Sequence, residues 1–314
     1  MAVLGSSGIE VFPLALGSNG FGWTSSGQVS ADILDAYVNG GGNFVDSADV
    51  YSAWAPGNKG GESETIIGEW ISRHNRSSLV VGTKVSQHPD FPGLSANNIR
   101  AAAQASLRRL QTDYIDLYYA HYDDPTVPLE ETVLAFADLV KQGTVRCVGI
   151  SNYSPERTTE WLEVATKAGV ELPVALQPHY NLMARKEFEQ KVLPIALEHH
   201  LAVVPYLGLA GGFLTGKYRS AEDAAGAARA GSLLGYLNER GFAVVSEVVS
   251  VATDIGVAPT SVALAWLRSR PAVVAPIASA STVDQVPALL ASATLLLSSD
   301  QMSRLDRASE AFGA

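Results

Sequence analysis

The sequence predicts an α/β protein folded as a single (β/α)8 TIM barrel, and three observations support this fold. Short apolar runs alternate with helical patterns along the 314 residues, as in a parallel sheet that is covered by helices on its outer face. Successive strand ends lie roughly 30 residues apart or slightly more, which is the length of one βα unit. Eight such units fit a closed barrel better than an open sheet, and barrels with insertions reach this length as one domain. We therefore expect residues 1–314 to form a single barrel domain.

The strands are predicted from short runs rich in Val, Ile, Leu and Tyr. In chain order they cover residues 11–16, 43–46, 79–84, 115–121, 145–151, 174–177, 202–206 and 273–277. The turn after the first strand reads Gly17-Ser18-Asn19-Gly20-Phe21-Gly22 and does not complete the G-x-G-x-x-G pattern. The alternative of an open dinucleotide-binding sheet therefore loses its main support.

Local signals predict where several helices begin. These starts are Ser30, Ser95, Ser154 with Pro155 at the first helical position, and Pro259. The first helix is expected to end at glycines 40–42 and the second to cover residues 96–110, while Pro271 should end the last.

About 65 residues separate the seventh strand from the eighth, and residues 208–235 within them are rich in Gly, Ala and Ser. A loop of this length in a compact domain is usually functional or mobile. We predict a lid over a ligand, with a flexible insertion as the alternative.

The composition limits the partners and the compartment. A net charge of −10 argues against nucleic acid or an anionic membrane as a partner. Cys147 is the only cysteine, so an internal disulfide and the Cys₂ and Cys₄ metal patterns are excluded, and we expect a small buried side chain there. Since neither a signal segment nor an apolar run of about 18 residues is found, we expect a soluble, cytoplasmic protein.

Four polar residues stand where buried strands end or have just ended: Asp46, Tyr51, Lys84 and His121. In a (β/α)8 barrel the active site lies at the carboxyl ends of the strands, so these side chains can converge. Alone, Lys84 and Asp46 would be a structural ion pair and His121 an interior histidine. The coincidence of all four at one end of the barrel favours a catalytic site.

The chemistry of the four side chains is complementary. A lysine ammonium beside a phenol should lower the ordinary tyrosine pKa near 10, which makes Tyr51 a better proton donor. Asp46 would hold the ammonium of Lys84, and a neutral His121 could orient a substrate oxygen. The set suits a carbonyl that is becoming an alkoxide. It holds no nucleophile–base pair and no three-ligand metal cluster, so no metal is expected.

The chain resembles the aldo-keto reductase family along essentially its full length. The segments that carry the resemblance are 42–51 (GNFVDSADVY), 61–64 (GESE), 83–84 (TK), 113–117 (DYIDL), His121 with 124–125 (DP), 149–152 (GISN), Gln177 and 212–218 (GFLTGKY). Each is weak alone, but together and in this order they are specific.

The resemblance implies a role for each matching residue. Tyr51 would be the general acid, tuned by Lys84 and Asp46, with His121 orienting the substrate and NADPH giving hydride from its nicotinamide C4. The residues that would bind this cofactor are Ser18, Asn19, Ser151, Asn152, Gln177, Tyr206, Leu207, Gly208, Leu209, Gly212, Lys217, Ser279, Ser281 and Gln285. Without the resemblance, Ser151 and Asn152 could simply form a strand-to-helix turn, and Tyr206 could be barrel packing.

The sequence departs from the family pattern in two places. The run after Tyr206 is Leu207-Gly208-Leu209-Ala210-Gly211 instead of Ser-Pro-Leu-Ala-Arg, which predicts a looser pyrophosphate loop. Ser281 stands where many members carry Arg or Lys for the adenosine 2′-phosphate, and Arg229 could compensate. NADPH is the expected cofactor, although this exchange leaves the choice against NADH open.

The substrate is expected to be a small-molecule carbonyl compound, and Trp23, Trp54 and Tyr122 are the candidate walls of its pocket. The alternative for the tryptophans is anchoring of their loops. A second functional interpretation is a cofactor-binding regulatory subunit, since the chain also resembles the β subunits of potassium channels. A metal-dependent hydrolase, the third, lacks the barrel-end His and Asp residues that it needs. The chain could be a monomer or a homo-oligomer.

Overall fold

A computed structural model describes residues 1–220, 222–224 and 230–313. It contains twelve strands within these residues. They are β1 (Ala2–Val3), β2 (Glu10–Val11), β3 (Ala15–Gly17), β4 (Phe44–Asp46), β5 (Val80–Val85), β6 (Gln87–His88), β7 (Phe91–Pro92), β8 (Ile115–Ala120), β9 (Val145–Ser151), β10 (Ala175–Gln177), β11 (Ala202–Val203) and β12 (Ile277–Ala278).

The same described residues form eleven α-helices. They are α1 (Gly27–Asn39), α2 (Glu62–Ile71), α3 (Ala96–Leu110), α4 (Leu129–Lys141), α5 (Pro155–Ala168), α6 (Leu193–Glu198), α7 (Ala230–Leu233), α8 (Glu239–Ile255), α9 (Pro259–Arg268), α10 (Val286–Ala291) and α11 (Ser299–Gly313). A π-helical turn, Phe188–Val192, leads into α6. The predicted caps Ser95 and Ser154 each accept a backbone N–H bond at a helix start.

Eight of the strands form one parallel sheet in the order β11-β10-β9-β8-β5-β4-β3-β12. The two edges of the curled sheet meet. Val203 of β11 pairs in parallel with Val273, which lies just before β12 in the chain. The Ile277 N–H of β12 also donates to the Pro205 carbonyl over 2.9 Å. The α/β fold is therefore confirmed, with a curled parallel sheet consistent with a (β/α)8 barrel.

The interior of the curled sheet is filled by alternate strand residues such as Phe44, Leu117 and Cys147. At its amino-terminal end, Leu4 and Val11 of the β1–β2 hairpin pack onto the same cluster. The predicted buried position of Cys147 is observed. With that end closed by apolar side chains, polar groups collect at the opposite end, where the parallel strands terminate.

Several predicted element boundaries were wrong. The seventh strand, predicted over residues 202–206, is the shorter β11, and the eighth, predicted over 273–277, overlaps β12 only at Ile277. The predicted strand 11–16 is split between β2 and β3, because Pro13 has no N–H for a sheet bond. Helix α1 begins at Gly27 with Ser26 as its cap, so Ser30 lies inside the helix. Strand β8 ends at Ala120, which places His121 just beyond the strand.

The segment between β11 and β12 is only partly described. Its described part contains a 3₁₀ helix over Ala210–Thr215, a further 3₁₀ turn over Glu222–Ala224, and helices α7 to α9. The predicted lid stays a prediction, and Arg229 lies outside the described residues. No single helix in the described ranges is long and apolar enough to cross a membrane; α8 and α9, bent by 102°, meet that test only as a pair.

Candidate active site

Three of the four predicted catalytic side chains meet in direct hydrogen bonds at the carboxyl ends of β4 and β5. The Lys84 ammonium donates to Asp46 Oδ2 over 2.8 Å and to the Tyr51 hydroxyl over 3.0 Å. The Tyr51 hydroxyl donates to Asp46 Oδ2 over a longer 3.4 Å. The His121 ring lies nearby, with its centroid 6.2 Å from that of Tyr51. The structure therefore places a phenol, an ammonium, a carboxylate and an imidazole together.

Each side chain is positioned by its element. Asp46 ends β4 and Lys84 lies one residue before the end of β5, so the two strands bring their side chains together. A tight turn after β4 returns Tyr51 over this pair; its Ser52 has a φ of 71° and donates a side-chain hydrogen bond to the Phe21 carbonyl. The turn is thus tied to the loop that follows β3.

Burial controls the protonation of the site. It raises the pKa of Tyr51 well above 10.0, and the Asp46 carboxylate adds to this increase. The net direction is opposite to the lower pKa predicted from the proximity of Lys84, because desolvation and Asp46 dominate. Burial also lowers the pKa of Lys84 from 10.5, against the opposing effect of Asp46. The pKa of His121 falls well below 6.5, first through burial and then through Lys84.

This protonation pattern suits the donation of a proton from Tyr51 to a substrate oxygen. At neutral pH the phenol keeps its proton and the imidazole is uncharged. The weak 3.4 Å bond to Asp46 leaves the Tyr51 proton free to move to a substrate oxygen that binds within reach of the hydroxyl. Nδ1 of His121 is buried and has no hydrogen-bond partner within the described part of the chain, while the His121 side chain itself lines the cavity described next.

A cavity of about 740 Å³ runs from Tyr51 and His121 to the helix start beyond β12. Most of the predicted cofactor residues line it: Asn19, Ser151, Asn152, Gln177, Tyr206, Leu207, Gly208, Leu209, Gly212, Lys217, Ser279, Ser281 and Gln285. Ser18 does not; it is buried behind the wall, where its hydroxyl donates to the Asp46 carbonyl. Thr24 and Gln87 also line the cavity, and no sequence pattern singles them out; Thr215, from the matching segment 212–218, lines it as well.

The amide groups beside the catalytic residues form a connected set. Gln177 donates to Asp46 Oδ1 over 2.8 Å. Asn152, in the left-handed region with a φ of 56°, donates to the His121 carbonyl and accepts from the Tyr206 hydroxyl. These bonds fix the Tyr206 ring relative to His121.

The middle of the cavity has both space and positive charge for an anionic group. Gly211 and Gly212 have φ values of 68° and 95°, which a side chain rarely adopts. A Cβ at Gly212 would stand 3.3 Å from the Lys217 ammonium, so the missing side chain leaves room directly beside a cation. Such a cradle fits the pyrophosphate of a dinucleotide. Beyond it, the Ser281 N–H donates to Gln285 Oε1 over 2.8 Å.

Aromatic side chains surround the mouth of the cavity. Trp54 and Tyr122 line it and are 49% and 43% exposed, large fractions for such side chains. Trp23 is not among the lining residues; it packs edge-on against Trp54 with ring centroids 5.6 Å apart. It can therefore act on a substrate through Trp54.

A second cavity, of about 930 Å³, lies beside the first but holds none of the four catalytic candidates. The two cavities share Asn152, Gln177 and Tyr206 as a common wall. His179 lines the second cavity and not the first. No sequence pattern had pointed to this cavity.

The described residues contain no group of three or more His, Cys, Asp and Glu side chains that could hold a metal ion. Asp123 forms an ion pair with Arg157, and Asp124 accepts bonds from the N–H groups of Leu94 and Thr126. Both carboxylates therefore stabilise the loop after β8.

Known proteins resemble this chain in sequence over most of its length. The sequence model of the aldo/keto reductase family matches residues 13–310. A putative voltage-gated potassium channel subunit beta from Schizosaccharomyces pombe is 33% identical over 90% of this chain and 85% of its own length. Protein tas from Escherichia coli is 31% identical over 96% and 94%. Norsolorinic acid reductase from Aspergillus flavus is 30% identical over 96% and 79%.

Proposed function

The chain belongs to the aldo/keto reductase family, and on that premise we propose that it reduces an aldehyde or ketone to an alcohol with NADPH, on a single (β/α)8 barrel. The observation that carries this proposal is the contact of Lys84 Nζ with both Tyr51 and Asp46 at the head of an elongated cavity. A phenol in that setting donates a proton to a carbonyl oxygen that gains negative charge.

In the proposed mechanism, the substrate oxygen lies between Tyr51 and His121. When bound, the dihydronicotinamide supplies a hydride to the carbonyl carbon. Tyr51 transfers its proton to the oxygen, and the charged Lys84 stabilises the phenolate that remains. Asp46 holds Lys84 in place, and His121 donates a hydrogen bond that orients the substrate oxygen.

The cofactor would extend along the cavity lining. Ser151, Asn152 and Gln177 would meet the carboxamide, and Tyr206 would stack on the nicotinamide ring. The pyrophosphate would lie at the Gly212–Lys217 cradle, and the adenosine near Ser279, Ser281 and Gln285. Trp54 and Tyr122 would contact the carbonyl substrate.

We expect a panel of aldehydes and ketones to give substrate-dependent consumption of NADPH, followed by its absorbance. A typical enzyme turns over its best substrate at least about once per second, and we expect a rate of that order here. The alternative function, a cofactor-binding regulatory subunit, is favoured by the relatives named as channel subunits. Dinucleotide binding without turnover of any carbonyl compound would support that alternative and contradict a reductase.

The rate of reduction should fall on the alkaline side of neutral pH but not on the mildly acidic side. Reduction needs protonated Tyr51, charged Lys84 and neutral His121. Because burial raises the pKa of Tyr51 and lowers those of Lys84 and His121, kcat/KM should be level between about pH 6 and 8. It should fall on the alkaline side as Lys84 loses its proton. A loss of rate near pH 6.5, measured with buffers of constant ionic strength, would mean that His121 titrates as an exposed histidine and would contradict its burial.

A further inference from the structure

His179 stacks against Tyr206, the ring that closes one side of the catalytic cavity. The two ring centroids are 5.4 Å apart and the planes are inclined by only 19°. Tyr206 lines both cavities, whereas His179 lines only the second. The imidazole therefore covers the face of Tyr206 that points away from the catalytic residues, and the opposite face is left for a ligand.

Hydrogen bonds connect His179 to the backbone around Tyr206. Its Nε2 lies 3.4 Å from Asn181 Nδ2 and 3.5 Å from the Tyr236 hydroxyl. Because an amide nitrogen can only donate, the contact with Asn181 is a hydrogen bond when Nε2 is the unprotonated, accepting nitrogen. Asn181 donates again, over 2.8 Å, to the carbonyl of Leu207, the residue after Tyr206. A neutral imidazole thus joins the ring of Tyr206 to the loop that carries it.

We propose that His179 is a positioning residue for the cofactor: its neutral ring holds Tyr206 flat for the nicotinamide, and its protonation weakens binding of the oxidised cofactor more than of the reduced one. This proposal rests on the proposed function. The oxidised nicotinamide ring is a cation and the reduced ring is neutral, so an imidazolium behind Tyr206 would repel only the former. Protonation also removes the acceptor that Asn181 uses.

The surroundings of His179 set when it gains a proton. Burial lowers the pKa of His179 below 6.5, and Glu187 opposes that effect. Tyr206 and Tyr236 contact it directly, and both stay uncharged at neutral pH since burial raises the pKa of each. Among the described residues, the other charged side chains that line the same cavity are Arg185, Lys186, Glu189 and Glu310. His179 is therefore neutral at pH 7 and becomes charged only in more acidic solution.

The test measures the Kd of NADP⁺ and of NADPH by quenching of tryptophan fluorescence between about pH 5.5 and 8, a range that spans an ordinary histidine pKa. It compares the unmodified protein with His179→Ala, His179→Phe and, as a matched control, His199→Ala. His199 lines neither cavity. Loss of a stacked ring should raise the Kd of NADP⁺ roughly three- to tenfold at pH 7.5. Phenylalanine keeps the stacked ring but not the acceptor for Asn181, so it should restore most of the affinity, and kcat should change little.

The pH series separates positioning from a general structural role. In the unmodified protein the Kd of NADP⁺ should rise in acid more steeply than that of NADPH, and His179→Phe should remove the difference. This second variant remains informative even if His179→Ala unfolds. An unchanged Kd in His179→Ala, or the same acid dependence in His179→Phe, would overturn the proposal. Failure of the unmodified protein to bind either dinucleotide would overturn the proposed function with it.

Discussion

Tyr51→Phe is expected to lose about 10²- to 10⁴-fold in turnover, the usual contribution of a positioned general acid. The variant removes only the hydroxyl that receives the Lys84 bond at 3.0 Å. Its ring still packs near Trp54 and beside the ammonium, which lies 4.7 Å from the ring centroid. Dinucleotide affinity, measured by fluorescence quenching, should therefore stay within about twofold while kcat falls.

Tyr118→Phe provides a matched control for this variant. The Tyr118 hydroxyl is also buried, in the strand next to Lys84, but it has no hydrogen-bond partner among the residues described. Its removal should leave turnover and stability nearly unchanged. Full turnover in Tyr51→Phe would show that another group is the acid. Loss of dinucleotide binding together with turnover would show that the hydroxyl supports the cavity and does not act in catalysis alone.

The sequence could predict the elements whose signals are local. Ser95, Ser154 and Pro259 mark helix starts because capping and the proline ring act within one turn. Asp46 and Lys84 could be found since a polar residue at the end of an apolar strand is conspicuous in any βα repeat. The prediction of a start at Ser30 is wrong because Ser26, four residues earlier, satisfies the same rule and lies where the chain first turns into the helix.

Properties that depend on distant residues could not be predicted from the sequence. The proximity of Lys84 predicts a lower pKa for Tyr51, but burial by the assembled barrel has the larger effect. The stack of His179 on Tyr206 joins loops after two strands, and no spacing in the sequence encodes it. Trp23 and Trp54 are both predicted pocket walls, yet of the two only Trp54 lines the cavity, with Trp23 packed against it.

Arg109→Ala is expected to have the largest effect on stability. Arg109 Nε contacts Glu64 Oε2 at 2.7 Å, and the Glu64 side chain is 0% exposed. Thr83, the neighbour of Lys84 in β5, donates to the other oxygen of Glu64. Removing the guanidinium leaves a buried carboxylate without its cation, which should cost about 3–5 kcal/mol in the free energy of unfolding, measured by urea titration.

The same helix, α3, offers the control. Arg100 pairs with Asp138 at a similar 2.8 Å, but the two side chains are 44% and 49% exposed, so Arg100→Ala should cost at most about 1 kcal/mol. If uncompensated charge is the cause, adding Glu64→Gln to Arg109→Ala should recover part of the loss, because a neutral amide can keep the Thr83 bond. No recovery in the double variant would assign the cost to lost packing of the arginine stem, which fills the space beside Gly61. Equal effects of the two arginine variants would mean that Glu64 is solvated in solution, and the support that it gives to Thr83 beside Lys84 would then be weak.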